Sequence, residues 1–125
     1  MTLFELLLIA HLMGDFLIQT EYQALHKAEG NFLNVALIAH CLTYTICFFP
    51  VFMLYKISAL WFFFIFWSHM FYDRRWPIVL WRRYINRCSQ KGIENTFWLT
   101  VVVDQIFELL VLAVISIATV GIRIL

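Results

Sequence analysis

Four long apolar runs separated by polar segments set the pattern of this chain. The first extends from Leu3 to Ile18 and stops at Gln19, Thr20 and Glu21. At 1.5 Å per residue such a run reaches roughly 24–27 Å, a short but workable membrane crossing. Glu21 to Asn31 is polar, and Gly30-Asn31 reads as a turn, with Asn31 or Asn34 available to cap the helix that follows. The second run, Phe32 to Tyr55, holds Pro50, which a membrane helix tolerates and which should kink this one near its far end. Lys56 and Ser58 leave a very short connection, so the second and third helices should be antiparallel neighbours. The third run, Ile57 to Tyr72, is the most aromatic and leads into Asp73 and Arg74-Arg75-Trp76-Pro77. Tryptophan beside arginine and proline suits a short amphipathic stretch at headgroup level, over about residues 76–88. Asn86 to Asn95 is polar and reads as a loop, and the fourth run covers Thr96 to Ile122. The pattern predicts one all-α domain: an integral membrane four-helix bundle with helices over about 3–19, 32–55, 57–73 and 96–122.

Composition supports lipid as the solvent. Hydrophobic residues make up 63% and charged residues 14%, against roughly 45–50% and about 25% in soluble domains. A soluble chain of 125 residues lacks the interior to hide so many apolar side chains, thirteen Phe and five Trp among them. The formal net charge of +1 provides no global basic field, so nucleic acid is not an expected partner. Cys41, Cys47 and Cys88 show no paired spacing, and no disulfide framework is expected. The first run lacks a basic leading segment and a small-residue cleavage pattern, and it reads as a retained helix rather than a signal.

Charge is unevenly distributed between the loops. The first and third loops carry Lys27, Arg74, Arg75, Arg82, Arg83, Arg87 and Lys91, while the opposite side carries Lys56 and Arg123. That asymmetry predicts cytoplasmic longer loops and both termini outside. Arg74, Arg75, Arg82, Arg83 and Arg87 form a basic set suited to anionic lipid headgroups, which makes membrane lipids the expected partners.

The ionisable residues inside the runs carry the chemistry. Each costs at least ~2.5 kcal/mol near the bilayer centre, yet every run has one or more. His11, Asp15 and Gln19 are spaced by four and project from one helix face; His69 and Asp73 repeat the spacing, as do Asp104 and Glu108, and the second run holds His40. Counted from the cytoplasmic ends, His11, Asp15, His40, His69 and Asp104 fall within a slab roughly 12 Å thick, with Glu108 a turn deeper. Helix bundles build metal sites in this manner, from imidazoles and carboxylates on facing helices. His11, Asp15, His40, His69, Asp73 and Asp104 are the candidate ligands for one or two divalent ions, with Zn, Mn or Fe ahead of Mg or Ca. Glu108 or Asp104 is the candidate catalytic base, and Gln19 and Gln105 are candidate polar supports. Plainer readings stand beside these: His40 as an interhelical hydrogen-bonder, Asp73 as a partner of Arg74 or Arg75, and the whole set as a proton-sharing polar core. His26 falls in a loop and is assigned no role.

The stretch from His11 through Gly14, Asp15, Phe16 and Gln19 to Thr20, with Ala24 and Lys27 after it, resembles the opening of the small bacterial and phage membrane proteins called domain of unknown function 3307. His40, His69-Met70-Phe71-Tyr72-Asp73 and Asp104-Gln105 extend the resemblance over nearly the whole chain. The family is similar to the membrane-bound metal-dependent hydrolases. The resemblance therefore implies a bacterial inner-membrane protein with a metal-dependent hydrolase activity; the Arg74 to Arg87 cluster adds the expectation of a lipid or phosphate-bearing substrate. It also implies histidine where this chain has Glu108, a more acidic ligand set than the pattern. The alternative expectation is a non-enzymatic membrane component: a metal or proton pathway, a homo-oligomer, or a small subunit of a larger membrane complex.

Overall fold

The structure, a computed structural model, describes residues 1–29 and 34–120. It is all-α, and the described residues form no strand. Helix α1 (Leu3–Leu12) continues into a π-turn (Met13–Leu17); then come α2 (Glu21–His26), α3 (Val35–Ile46), α4 (Phe49–Tyr55), α5 (Ala59–Asp73), α6 (Trp76–Tyr84), α7 (Gln90–Asn95) and α8 (Phe97–Val120). The expected turn at Gly30-Asn31, the cap at Asn31, the helix start at Phe32, and Ile122 and Arg123 lie outside the described residues.

Local chemistry accounts for most boundaries. Thr2 and Glu5 form a capping box at α1, and Thr20 and Gln23 form another at α2, each closing two otherwise unpaired backbone N–H groups. The Asn34 side chain accepts from the N–H groups of Ala36 and Leu37 and so starts α3. Its amide donates back to the carbonyls of His26 and Glu29, which ties α2 to α3. Ser58 caps α5 and Ser89 caps α7.

Three sequence expectations change. The second apolar run is two helices, broken at Cys47 and Phe48, with Pro50 in the first turn of α4. A proline ring clashes with the carbonyl four residues earlier, which is Ile46, the last residue of α3; within a first helical turn the missing N–H costs nothing. The segment 86–95 contains α7 rather than a loop, and the first polar segment opens with α2. Helix length differs as well. Val35–Tyr55, at 21 residues, and Phe97–Val120, at 24, are long and apolar enough to cross a membrane. The α1–π-turn unit and α5 span fifteen residues each, about 22 Å against a hydrocarbon core of about 30 Å.

The interior divides into two halves. At one end Leu3, Leu7, Phe48, Val51, Phe52, Ile65, Leu112 and Ile115 form a continuous apolar core from α1, α4, α5 and α8. At the other end His11, Asp15, His40, His69, Asp73 and Glu108 are buried beside a small apolar cluster of Leu37, Cys41 and Met70. The outer face is the reverse: Leu17, Val35, Leu54 and Leu60 are each at least 70% exposed.

Gly14 sets how closely the π-turn approaches α3. A Cβ at this position would lie 2.6 Å from Tyr44 Cδ2 and 3.1 Å from the Tyr44 Cα, so a side chain would overlap the buried tyrosine ring and crowd its backbone. Gly→Ala normally stabilises a helix by up to about 1 kcal/mol. Here the sign reverses: Gly14→Ala should destabilise the protein by roughly 1–3 kcal/mol through overpacking. Thermal unfolding of the detergent-solubilised protein, followed by circular dichroism, checks this; an unchanged or raised midpoint removes the close-approach argument.

Candidate functional site

Four ionisable side chains from three elements converge on one point. Asp15 comes from the π-turn, His40 from α3, and His69 and Asp73 from successive turns of α5. His40 Nε2 and His69 Nε2 face each other at 2.9 Å. Asp15 Oδ1 lies 3.2 Å from His40 Nε2 and 3.3 Å from His69 Nε2. Asp73 Oδ2 lies 2.9 Å and 3.0 Å from the same two nitrogens. Among the described residues neither carboxylate oxygen sits in an aligned hydrogen bond. Ligands at ~2.0–2.1 Å from a common ion stand about 2.9 Å apart at right angles and roughly 3.3 Å apart at tetrahedral angles. The observed separations cover that interval. A hydrogen-bonded cluster explains them less well, because each imidazole nitrogen carries one proton or one lone pair and cannot serve three partners at once.

The rings are held from behind. The other His69 nitrogen, Nδ1, lies 2.5 Å from Glu108 Oε1. Neither atom is in an aligned hydrogen bond, but a carboxylate behind Nδ1 favours a proton there and a lone pair on Nε2 towards the centre, the arrangement by which carboxylates orient metal-bound histidines. The His69 ring also stacks on Tyr44, with centroids 3.6 Å apart and planes 5° from parallel. Glu108, expected a turn deeper, reaches the level of the centre through this contact.

His11 groups with Asp15 and Glu108, their ligand atoms within 4.8 Å of one another, and is also hydrogen-bonded. Its Nδ1 pairs with the Tyr44 hydroxyl at 2.8 Å and its Nε2 with Gln105 Oε1 at 2.7 Å, so both nitrogens are taken. Asp15 and Glu108 stand 3.9 and 3.8 Å away from Nδ1, beyond hydrogen-bond range. Gln105 continues the network by donating to Asp15 Oδ2 at 2.9 Å and to Glu108 Oε2 at 3.3 Å. Gln19 donates to the Asp15 backbone carbonyl at 3.1 Å. Asp104 is half-buried beside the centre; one of its oxygens lies within 4.8 Å of carboxylate oxygens of Asp73 and Glu108, and its Oδ1 has no hydrogen-bond partner among the described residues.

Two residues were missed in the sequence. Tyr44 follows His40 by one turn, which places both on one face of α3. Lys27, at the end of α2, extends its ammonium to 3.1 Å from Asp73 Oδ2. Burial alone would lower its pKa, but Asp73 and Asp15 outweigh that and hold it above the ordinary lysine value. Lys27, Asp15, Asp73, Asp104, Gln105 and Arg75 line a cleft of about 150 Å³ beside the centre.

The basic set is not a uniform surface patch. Arg83 and Arg87 are exposed, and Arg74 and Arg75 half-buried. Arg82 is buried, which removes it from the expected headgroup-binding set. Its Nη1 donates to the Thr96 carbonyl at 2.9 Å and to Thr100 Oγ1 at 2.8 Å, and its Nη2 to Thr96 Oγ1 at 2.8 Å. Arg82 and Ile78 point inward from one face of α6, and the guanidinium fork stitches that helix to the start of α8. His26, assigned no role, pairs with Glu29 at 2.9 Å on the surface.

A family model described as a protein of unknown function (DUF3307) matches residues 3–124. No curated protein and no solved structure matches the chain.

Truncation separates the two kinds of arginine. Arg82→Ala should cost roughly 2–4 kcal/mol by stranding buried threonine oxygens. Arg83→Ala, one residue on and exposed, should stay within about 0.5 kcal/mol of the parent protein. Equal unfolding midpoints for the two variants in detergent would refute the internal role of Arg82.

Proposed function

The chain belongs to the DUF3307 family, whose description assigns no activity, and from the site we propose a membrane-embedded, metal-dependent hydrolase. The observation that carries the reading is the meeting of His40 Nε2, His69 Nε2, Asp15 Oδ1 and Asp73 Oδ2 at separations of 2.9–3.3 Å inside an otherwise apolar protein. Four groups of this kind, two acidic and two imidazole, suit a transition metal such as Zn, Mn or Fe ahead of Mg or Ca.

These four residues hold one ion. His11 stands outside the ligand set because Tyr44 and Gln105 occupy its nitrogens; it positions Asp15 through Gln105. Glu108 orients His69 rather than reaching the ion. A bound divalent ion supplies Lewis acidity and lowers the pKa of a water towards ~7. Asp104 is the catalytic base: it lines the cleft, and its Oδ1 is uncommitted.

The inverted distribution of polarity supports a bilayer setting. Side chains such as Leu54 and Leu60 face outward while Asp15, Asp73 and Glu108 face inward, the pattern of a protein solvated by lipid. The four apolar segments cross or enter the inner membrane of a bacterium, α3–α4 and α8 as full spans and α1 and α5 as shorter ones. The basic loops lie in the cytoplasm and the termini outside. A second reading, a proton pathway without hydrolysis, draws on the linked chain Tyr44–His11–Gln105–Asp15.

Elemental analysis of protein purified in detergent and reloaded with Zn, Mn or Fe tests the proposal. The parent chain and the variants His11→Asn and Asp104→Asn should retain one metal per chain, while His40→Ala, His69→Ala and Asp73→Asn should retain less than about a tenth. A parent chain that retains none of the three metals ends the hydrolase reading. Proton flux into liposomes that persists without metal favours the second.

A further inference from the structure

The cleft beside the centre contains more positive charge than a metal site needs. Lys27 and Arg75 both line it, on the side where Asp15 and Asp73 are reached from outside, whereas His40 and His69 do not. We infer that this cleft is the receptor for a phosphate-type oxyanion, with Lys27 and Arg75 as its cations, and that it accepts the anion only after a divalent ion is in place. The inference rests on the metal reading above and adds to it the substrate class and the order of binding.

Charge decides the order. With Asp15, Asp73 and Asp104 all ionised, the three lining carboxylates outnumber the two lining cations and the metal-free cleft is one unit negative and repulsive to an anion. One divalent ion reverses the sign. Lys27 links the two states. Its ammonium lies 3.1 Å from Asp73 Oδ2, the same oxygen that faces both imidazoles at 2.9 and 3.0 Å. An ion held by that oxygen shares the negative charge that now engages Lys27, and the Asp73 contact uses only one of three ammonium donors.

Arg75 is prepared from the other side. Its guanidinium carbon sits 4.7 Å from the centroid of the Phe97 ring, which holds the plane in place and leaves its edge N–H groups for a bidentate acceptor. The backbone there has φ of 72°, a conformation that bulky residues rarely adopt and that clusters at binding sites. The cleft volume of about 150 Å³ has room for a phosphate group with a few waters rather than a large polar headgroup. Phe16 and Tyr72 complete the lining with apolar surface, Phe16 being exposed on the outer face.

Equilibrium dialysis of the full chain in detergent micelles against inorganic phosphate, metal-free and Mn²⁺-loaded, tests the inference. A second arm uses nanodiscs with or without phosphatidic acid as competitor. The loaded parent protein should bind phosphate at least about tenfold more tightly than the metal-free protein. Arg75→Gln and Lys27→Gln should each weaken that binding about tenfold or more. Metal content is measured on the same samples. Retained metal with phosphate affinity unchanged in both variants, or equal affinity with and without metal, overturns the receptor while leaving the metal centre standing. A parent chain that retains no metal overturns both. Stronger competition by phosphatidic acid than by free phosphate identifies a lipid headgroup as the source, and the reverse order identifies a soluble phosphate; either supports the receptor.

Discussion

Two carboxylate oxygens and two imidazole nitrogens are pressed together where water is excluded, and the remainder of this small protein is arranged to make that tolerable. Asp15 and Asp73 are each 3% exposed. Unpaired anions so placed cost several kcal/mol even after relaxation. The interior answers with neighbours of complementary charge and proton affinity: His40 and His69 at the centre, and Lys27 entering from outside the bundle.

Supporting residues keep those side chains from drifting. Tyr44 serves twice, with its ring stacked on His69 and its hydroxyl on His11. It occupies that position because Gly14 offers no side chain in its way. The π-turn around Gly14, closed by the Ile18 N–H to Met13 carbonyl bond at 2.9 Å, carries Asp15 into the interior; such wide turns recur at functional sites. Opposite it, Glu108 and Gln105 from α8 hold the rear of His69 and Asp15. The apolar half, from Leu7 to Ile115, anchors the same helices at their other ends. Rigidity at the centre is therefore supplied by parts that have no chemistry of their own.

Much of this was legible in the pattern of residues. Helical spacing alone places His69 and Asp73 on one face, and a count of depth brings residues from four runs to one level. Spacing cannot separate His11 from His40, because both are imidazoles on apolar helices; what distinguishes them is tertiary, a tyrosine and a glutamine from other elements occupying both nitrogens of one. Lys27 was hidden for a similar reason. It lies in a polar segment, and its role depends on α2 folding back against α3, which brings the ammonium to Asp73. Arg82 carried a readable signal, since Ile78 one turn earlier marks the inward face of α6, but basic composition outweighed periodicity. The break before Pro50 follows from proline sterics, and reading the whole run as one kinked helix underestimated it.

In a bilayer, as proposed above, the unequal helix lengths would have a consequence for the surrounding lipid. The α1–π-turn unit and α5 are about 22 Å long, and both deliver residues to the centre. Beside them α8 is long enough for an ordinary bilayer. A short hydrophobic segment next to a long one is met by local thinning, at fractions of a kcal/mol per ångström of mismatch. In the bilayer setting proposed above, the headgroup layer on the short side would sink towards the middle of the membrane and carry polar lipid groups inward to the depth of Asp15 and Asp73. Such a deformation would shorten the distance a headgroup must travel, and it would be shallower in a thinner membrane.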